Sequence, residues 1–108
     1  MKLLHIHAHH DDYEWAAAGT FELWRRRLGP DFHARIVVCT DGQAGHHFRP
    51  RAETGALRQR EQAAAAAIAG VDYQQLTDHR GQQFREACVT PDAAFLAALW
   101  KAIRDFEP

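Results

Sequence analysis

The chain has 108 residues, room for one domain, with 46% hydrophobic and 25% charged residues, the balance of a globular protein. A formal charge of −1 and a pI of about 6.7 give no bulk attraction to nucleic acid or to an anionic membrane. No apolar stretch approaches the roughly 20 residues that span a bilayer, and two cysteines, Cys39 and Cys88, make neither a disulfide framework nor a Cys-based zinc site. The start of the chain, one lysine and then histidines, has no signal-peptide pattern. The expected location is the cytoplasm, with neither nucleic acid nor membrane as a partner.

Lys2 to His7 carries Leu3, Leu4 and Ile6 and predicts a buried strand ending near His7 or Ala8. Asp11 and Asp12 can start a helix, because carboxylates accept from its free N–H groups. Tyr13 to Leu28 then predicts one helix, with Trp15 at helical spacing, an apolar stripe of Phe21, Trp24 and Leu28, and Arg25–Arg27 suited to its last turn. Gly29-Pro30 ends it. Ala34 to Thr40 is a β-branched run and the clearest strand, with Cys39 pointing into a core. Asp41-Gly42 breaks it. Residues 43–54 hold glycine, proline, two histidines and several arginines without apolar period and predict a long loop, of the kind that carries function.

Gly55 to Ala69 predicts a helix driven by the alanine run Ala63–Ala67, with Gly70 as its stop. Val71 to Leu76 predicts a short third strand. Residues 78–87 are polar and irregular and predict a loop. Thr90-Pro91-Asp92 opens a last helix, with Thr90 as N-cap and Pro91 in the first turn; Phe95, Leu96, Leu99, Trp100 and Ile103 form its stripe. The order strand, helix, strand, helix, strand, helix predicts an α/β fold: a Rossmann-like open parallel sheet with right-handed crossovers. Ligand sites in such sheets lie at the carboxyl ends of the strands. Residues 9–12 and 40–45 both fall there. The last helix runs into Glu107-Pro108 with no returning strand, so residues 1–108 are expected to form the N-terminal part of a single longer domain, incomplete at its C-terminus.

The densest chemistry lies in His5-Ile6-His7-Ala8-His9-His10-Asp11-Asp12-Tyr13-Glu14. Imidazole and carboxylate are the side-chain ligands of catalytic zinc. His9 and Asp12, three residues apart across a strand-to-helix turn, can reach one Zn²⁺, with another divalent metal as the alternative. Asp11 then projects beside the metal as a base for a metal-bound water. That set serves amide or ester hydrolysis. His5 and His7 alternate with apolar residues and are expected to be strand residues; His46, His47 and His79 are expected in solvated loops.

Ala8-His9-His10-Asp11-Asp12-Tyr13-Glu14 resembles the Ala-His-Pro-Asp-Asp-x-Glu signature of the LmbE/PIG-L family of zinc-dependent N-acetylglucosaminyl deacetylases. Thr40-Asp41-Gly42-Gln43-Ala44-Gly45 is similar to that family's Thr-Asp-Gly-Glu-x-Gly turn. Arg58-Gln59-Arg60-Glu61, with Gly70-Val71 beyond it, is similar to its Arg-x-x-Glu helix leading into Leu-Gly-Val. The resemblance spans essentially the whole chain. It implies a Rossmann-like fold and removal of an N-acetyl group from an N-acetylglucosamine-type sugar or conjugate, a small-molecule partner. It also implies His9 and Asp12 as metal ligands, Asp11 as general base, and Arg58 and Asp78 as substrate contacts.

Three departures stand out. His10 replaces the proline, which frees the turn's φ and adds an imidazole that could compete for metal. Gln43 replaces a glutamate. The family's third ligand, a histidine after the next strand, falls beyond Pro108. Two other classes remain open: a catalytically inactive binding module on the same fold, and a phospho-receiver-like domain. The second needs an aspartate at the end of strand three and a late lysine, and Asp78 and Lys101 are poorly placed for those roles.

Overall fold

A computed structural model describes residues 1–108. Three strands, β1 (Lys2–His7), β2 (His33–Val38) and β3 (Asp72–Gln75), form one parallel sheet in the order β1-β2-β3. His7 lies opposite Val38, and Val38 opposite Gln75, so all three strands end level at one carboxyl edge. The chain leaves β1 through α1 (Asp12–Ala16) and α2 (Ala18–Leu28), and a short 3-10 turn (Gly29–Asp31) leads into β2. Next, α3 (Arg51–Ala69) crosses to β3, and α4 (Ala93–Phe106) closes the chain. The expected alternation and parallel sheet are what the chain forms.

Alternation along β2 builds two cores. Ala34 and Ile36 face a cluster with Tyr13 of α1, Ala17 at the junction to α2, Phe21 of α2, Phe32 just before β2 and Ala66 of α3. Val37 and Cys39 face the opposite side, against Leu76 and Ala98 and Ala102 of α4. β2 is thus buried on both faces, as a central parallel strand is, which explains its unbroken apolar run. Cys39 is buried, as expected. No helix is long and apolar enough to cross a membrane.

Three helix boundaries differ from expectation. The single helix over residues 13–28 is two, divided at Ala17 (φ −132°); Tyr13, Ala17 and Phe21 stay on the core side across the break. Trp15 is turned outward and is 89% exposed. The third helix begins at Arg51, right after Pro50, and not at Gly55. Gly55 is therefore helical, and a Cβ there would lie 2.8 Å from the Asp41 carbonyl oxygen; it lets α3 approach the turn after β2. In α4, Asp92 is the N-cap, its Oδ1 accepting from the Phe95 N–H at 3.0 Å, while the Thr90 hydroxyl donates to Asp92 Oδ2. Only part of the expected α4 stripe is covered: Phe95 and Leu99 pack on the core, but Leu96 and Trp100 stay exposed.

Candidate active site

Three chain segments meet at the carboxyl edge of the sheet. Thr40 donates to the Ala8 carbonyl through both its hydroxyl (2.8 Å) and its N–H (3.2 Å), fastening the end of β2 to the loop after β1. Asp41, almost fully buried, accepts at Oδ1 from the N–H groups of Gln43 (3.1 Å) and Glu86 (3.0 Å). It thereby ties the 41–44 turn to the loop that precedes α4. Phe84 bridges to Thr40 and accepts from the Asp41 N–H, so this loop lies along the same edge.

His9 and Asp12 come together there. His9 Nδ1 stands 3.6 Å from Asp12 Oδ2, and the His9 N–H donates to that same oxygen at 3.0 Å. The Asp12 side chain is turned back over the strand end because it starts α1. His7 supports this turn from below: its buried ring donates from Nδ1 to the His9 carbonyl at 2.7 Å. Burial pushes the His7 pKa down, in keeping with a neutral ring in the strand. His5 stacks on it, with ring centroids 5.0 Å apart.

Asp11 lies between the two in a left-handed conformation, φ +75°, a region that Asp enters more readily than most L-residues but still at a cost. The restraint that holds it is Gln62. This α3 side chain is 2% exposed; its Oε1 accepts the Asp11 N–H at 2.9 Å and its Nε2 donates to Glu14 Oε1 at 2.9 Å. One buried amide thus clamps both ends of the first helical turn. The Asp11 carboxylate points to Arg58, with Oδ2 3.5 Å from Nη1. Arg58 also reaches Glu61 at 3.6 Å. Both ion pairs involve half-exposed groups, and such pairs contribute little rigidity; the backbone clamp places Asp11, and its carboxylate stays free to turn.

His10 does not compete for this site. It is 4% exposed and points the other way, with Nε2 donating to Gln75 Oε1 at 3.1 Å, while Tyr73 donates to the same oxygen at 3.0 Å. Gln75 in turn donates to the carbonyls of Val38 and Thr40. The ring rests on Gly42, where a Cβ would lie 2.6 Å from Nδ1. Burial lowers the His10 pKa and raises that of Tyr73 to about 12, so both are neutral members of a polar layer beneath the turn. In place of a proline's fixed φ, the turn is held by this buried imidazole.

Asp78 serves its own loop. Oδ1 accepts from the N–H groups of Arg80 (2.8 Å) and Gln82 (2.9 Å), which holds its carboxyl below the usual carboxylate range. It lines a cleft between β3 and α4 with His79 and Lys101, and makes no hydrogen bond or ion pair with His9, Asp11, Asp12 or Arg58. Glu86, like Gln62, is a residue that the sequence did not reveal. Its carboxylate, 16% exposed, accepts the Ala44 N–H at 2.7 Å through Oε2 and presents Oε1 to His9 Nε2 at 3.8 Å. A lone glutamate in an irregular polar loop carries no spacing signal.

The arrangement defines a doubly covered α/β domain with a His–Asp–Asp group at the carboxyl edge of its sheet. Residues 4–108 match the family PIG-L: GlcNAc-PI de-N-acetylase, and the chain belongs to that family. No curated protein matches the chain in sequence. Solved structures share its fold, two enzymes among them. The N,N'-diacetylchitobiose deacetylase of Pyrococcus horikoshii is 23% identical with a TM-score of 0.83, over 99% of this chain and 38% of that one. The 4-carboxy-2-hydroxymuconate hydratase of Pseudomonas putida is 21% identical with a TM-score of 0.80, over 99% of this chain and 44% of that one. The chain thus spans less than half the length of either. One of these neighbours is a deacetylase and the other a hydratase, so the fold alone does not select the reaction.

Proposed function

We propose that the chain carries the catalytic edge of a metal-dependent amide hydrolase that removes the N-acetyl group of an N-acetylglucosamine-type sugar or conjugate. The observation that carries this reading is the placement of Asp11. A carboxylate is held by a backbone clamp beside a His–Asp pair, reaches none of that pair's atoms, and has only a weak ion pair to restrain it. Family membership and the deacetylase neighbour support hydrolysis of an N-acetyl group among the reactions that a free carboxylate could serve.

The donors fit half of a metal site. Two ligands about 2.1 Å from one tetrahedral zinc ion stand roughly 3.4 Å apart, and His9 Nδ1 and Asp12 Oδ2 are 3.6 Å apart. No three histidine, cysteine or acidic side chains lie close enough to hold an ion on their own. His9 and Asp12 would hold Zn²⁺, or another divalent cation, which when bound supplies a Lewis acid for the acyl carbonyl and raises the acidity of water. Asp11 takes the proton of the attacking water and returns it to the amine nitrogen as the C–N bond breaks. Arg58, beside Asp11, binds the sugar through hydroxyl or carbonyl oxygens. Asp78 offers a second sugar contact from the loop that it organises.

The test is release of acetate from an N-acetylglucosamine substrate by the parent and by Asp11→Asn, with zinc content measured beside it. Loss of turnover with zinc retained supports the assignment; equal turnover in the two proteins refutes it. An inactive binding module instead binds the sugar and releases no acetate in either protein.

A further inference from the structure

Glu86 has no part in the reading above, yet its carboxylate is one of two that flank His9. Asp12 faces Nδ1 of the ring and Glu86 faces Nε2. These nitrogens lie on different sides of the imidazole, so the two carboxylates cannot serve one cation bound at a single ring nitrogen. We propose that Glu86 is the positioning residue of His9. Its Oε1 accepts from Nε2–H, fixes the ring tautomer and leaves the Nδ1 lone pair directed toward Asp12 and the metal. This rests on His9 being a metal ligand, as proposed above.

An isolated contact at 3.8 Å would be an ordinary weak pair. Three observations set this one apart. The Glu86 side chain is 16% exposed, against 54% for His9, so it is the His9 ring that adjusts to Glu86. Its Oε2 is already committed to the Ala44 N–H, and its own N–H to Asp41; both partners belong to the turn after β2. Its Oε1 has no other partner among the hydrogen bonds and ion pairs. The carboxylate is therefore pre-ordered, with one free acceptor aimed at the ring. A metal-bound histidine characteristically donates its second ring N–H to such an outer carboxylate, which orients it and raises its basicity. The exposed His9 ring must turn for the 3.8 Å contact to close to hydrogen-bond length.

The same geometry gives Asp41 a second use. By holding the N–H groups of Gln43 and Glu86 together, it sets the 84–86 loop over the β1 turn, so all three loops of the edge contribute to one imidazole.

The experiment is Zn²⁺ affinity of the 108-residue chain by chelator competition, for the parent, His9→Ala, Glu86→Ala and Glu86→Gln. The His9 tautomer is read by ¹⁵N NMR in the metal-free proteins, and thermal unfolding confirms that each variant folds. Glu86→Ala is expected to weaken zinc binding 10- to 100-fold and to lower the fraction of His9 carrying its proton on Nε2. Glu86→Gln, which keeps an acceptor oxygen, falls between it and the parent. Parent-like affinity and tautomer in Glu86→Ala overturn the proposal. So does a loss as complete as that of His9→Ala, which makes Glu86 a ligand. Should the parent bind no zinc, the metal reading fails by itself, and the tautomer still decides whether Glu86 orients the ring.

Discussion

Replacing Gln62 by leucine removes the clamp on Asp11 and keeps the side-chain volume. In the folded protein the Asp11 N–H then loses its acceptor at 2.9 Å, at a cost of about 1–3 kcal/mol for an unsatisfied, partly buried donor. Glu14 loses little, because it is exposed and water replaces the Gln62 amide. Leucine leaves no cavity, so the loss should stay near 2 kcal/mol; alanine adds a cavity term of roughly 1–2 kcal/mol and would confuse the reading. Without its hydrogen bond, Asp11 is left in a left-handed conformation that costs about 1–2 kcal/mol. It should relax toward ordinary φ and carry its carboxylate with it. A misplacement near 1 Å is worth about 10²-fold in turnover. Urea unfolding of the parent and Gln62→Leu measures the first quantity, kcat and zinc affinity the second. Destabilisation near 2 kcal/mol with kcat reduced and zinc affinity retained is the expected outcome. A Gln62→Leu protein as stable as the parent, with parent-like kcat, refutes the clamp.

Other outcomes follow from the same geometry. Gly42→Ala places a Cβ 2.6 Å from His10 Nδ1 at φ +70°, and Gly55→Ala places one 2.8 Å from the Asp41 carbonyl; each should cost about 1–3 kcal/mol in urea unfolding. Burial raises the Cys39 thiol to about 11, so at pH 8 a thiol reagent should label exposed Cys88 and spare Cys39 until the protein is denatured. Asp92 has its pKa lowered by the Phe95 N–H that it caps. Its contribution is therefore present above its unfolded pKa, near 4, and is lost as pH falls through the lower folded value. Asp92→Asn keeps a capping oxygen and should show a smaller fall in Tm than the parent as pH drops below about 4.

What could be read from the sequence follows from how local each cause is. β2 was legible because Ile36, Val37 and Val38 are β-branched and buried on both faces. The turn after β1 was legible because its chemistry is contiguous, and His9, Asp11, Asp12 and Arg58 do meet at one edge. Gly55 misled: a glycine reads as a helix boundary, whereas its role is close approach of α3 to Asp41. The break at Ala17 falls in a run of alanines, which have no side-chain preference to announce it, so packing of Tyr13 and Phe21 on one core decides. Thr90 looked like the cap, but Asp92 is the residue three before the Phe95 N–H that needs an acceptor. His10 looked like a surplus ligand because its partners, Gln75 and Tyr73, are more than sixty positions away. Gln62 and Glu86 act on the site from similar distances in sequence, and neither residue type advertises such a role.

The most direct test of Asp11 as the base is the acetate released from an N-acetylglucosamine substrate by the zinc-loaded parent and by zinc-loaded Asp11→Asn. Loss of a general base predicts a kcat lower by roughly 10²–10⁴-fold with zinc content unchanged. Turnover in Asp11→Asn within a few-fold of the parent contradicts it.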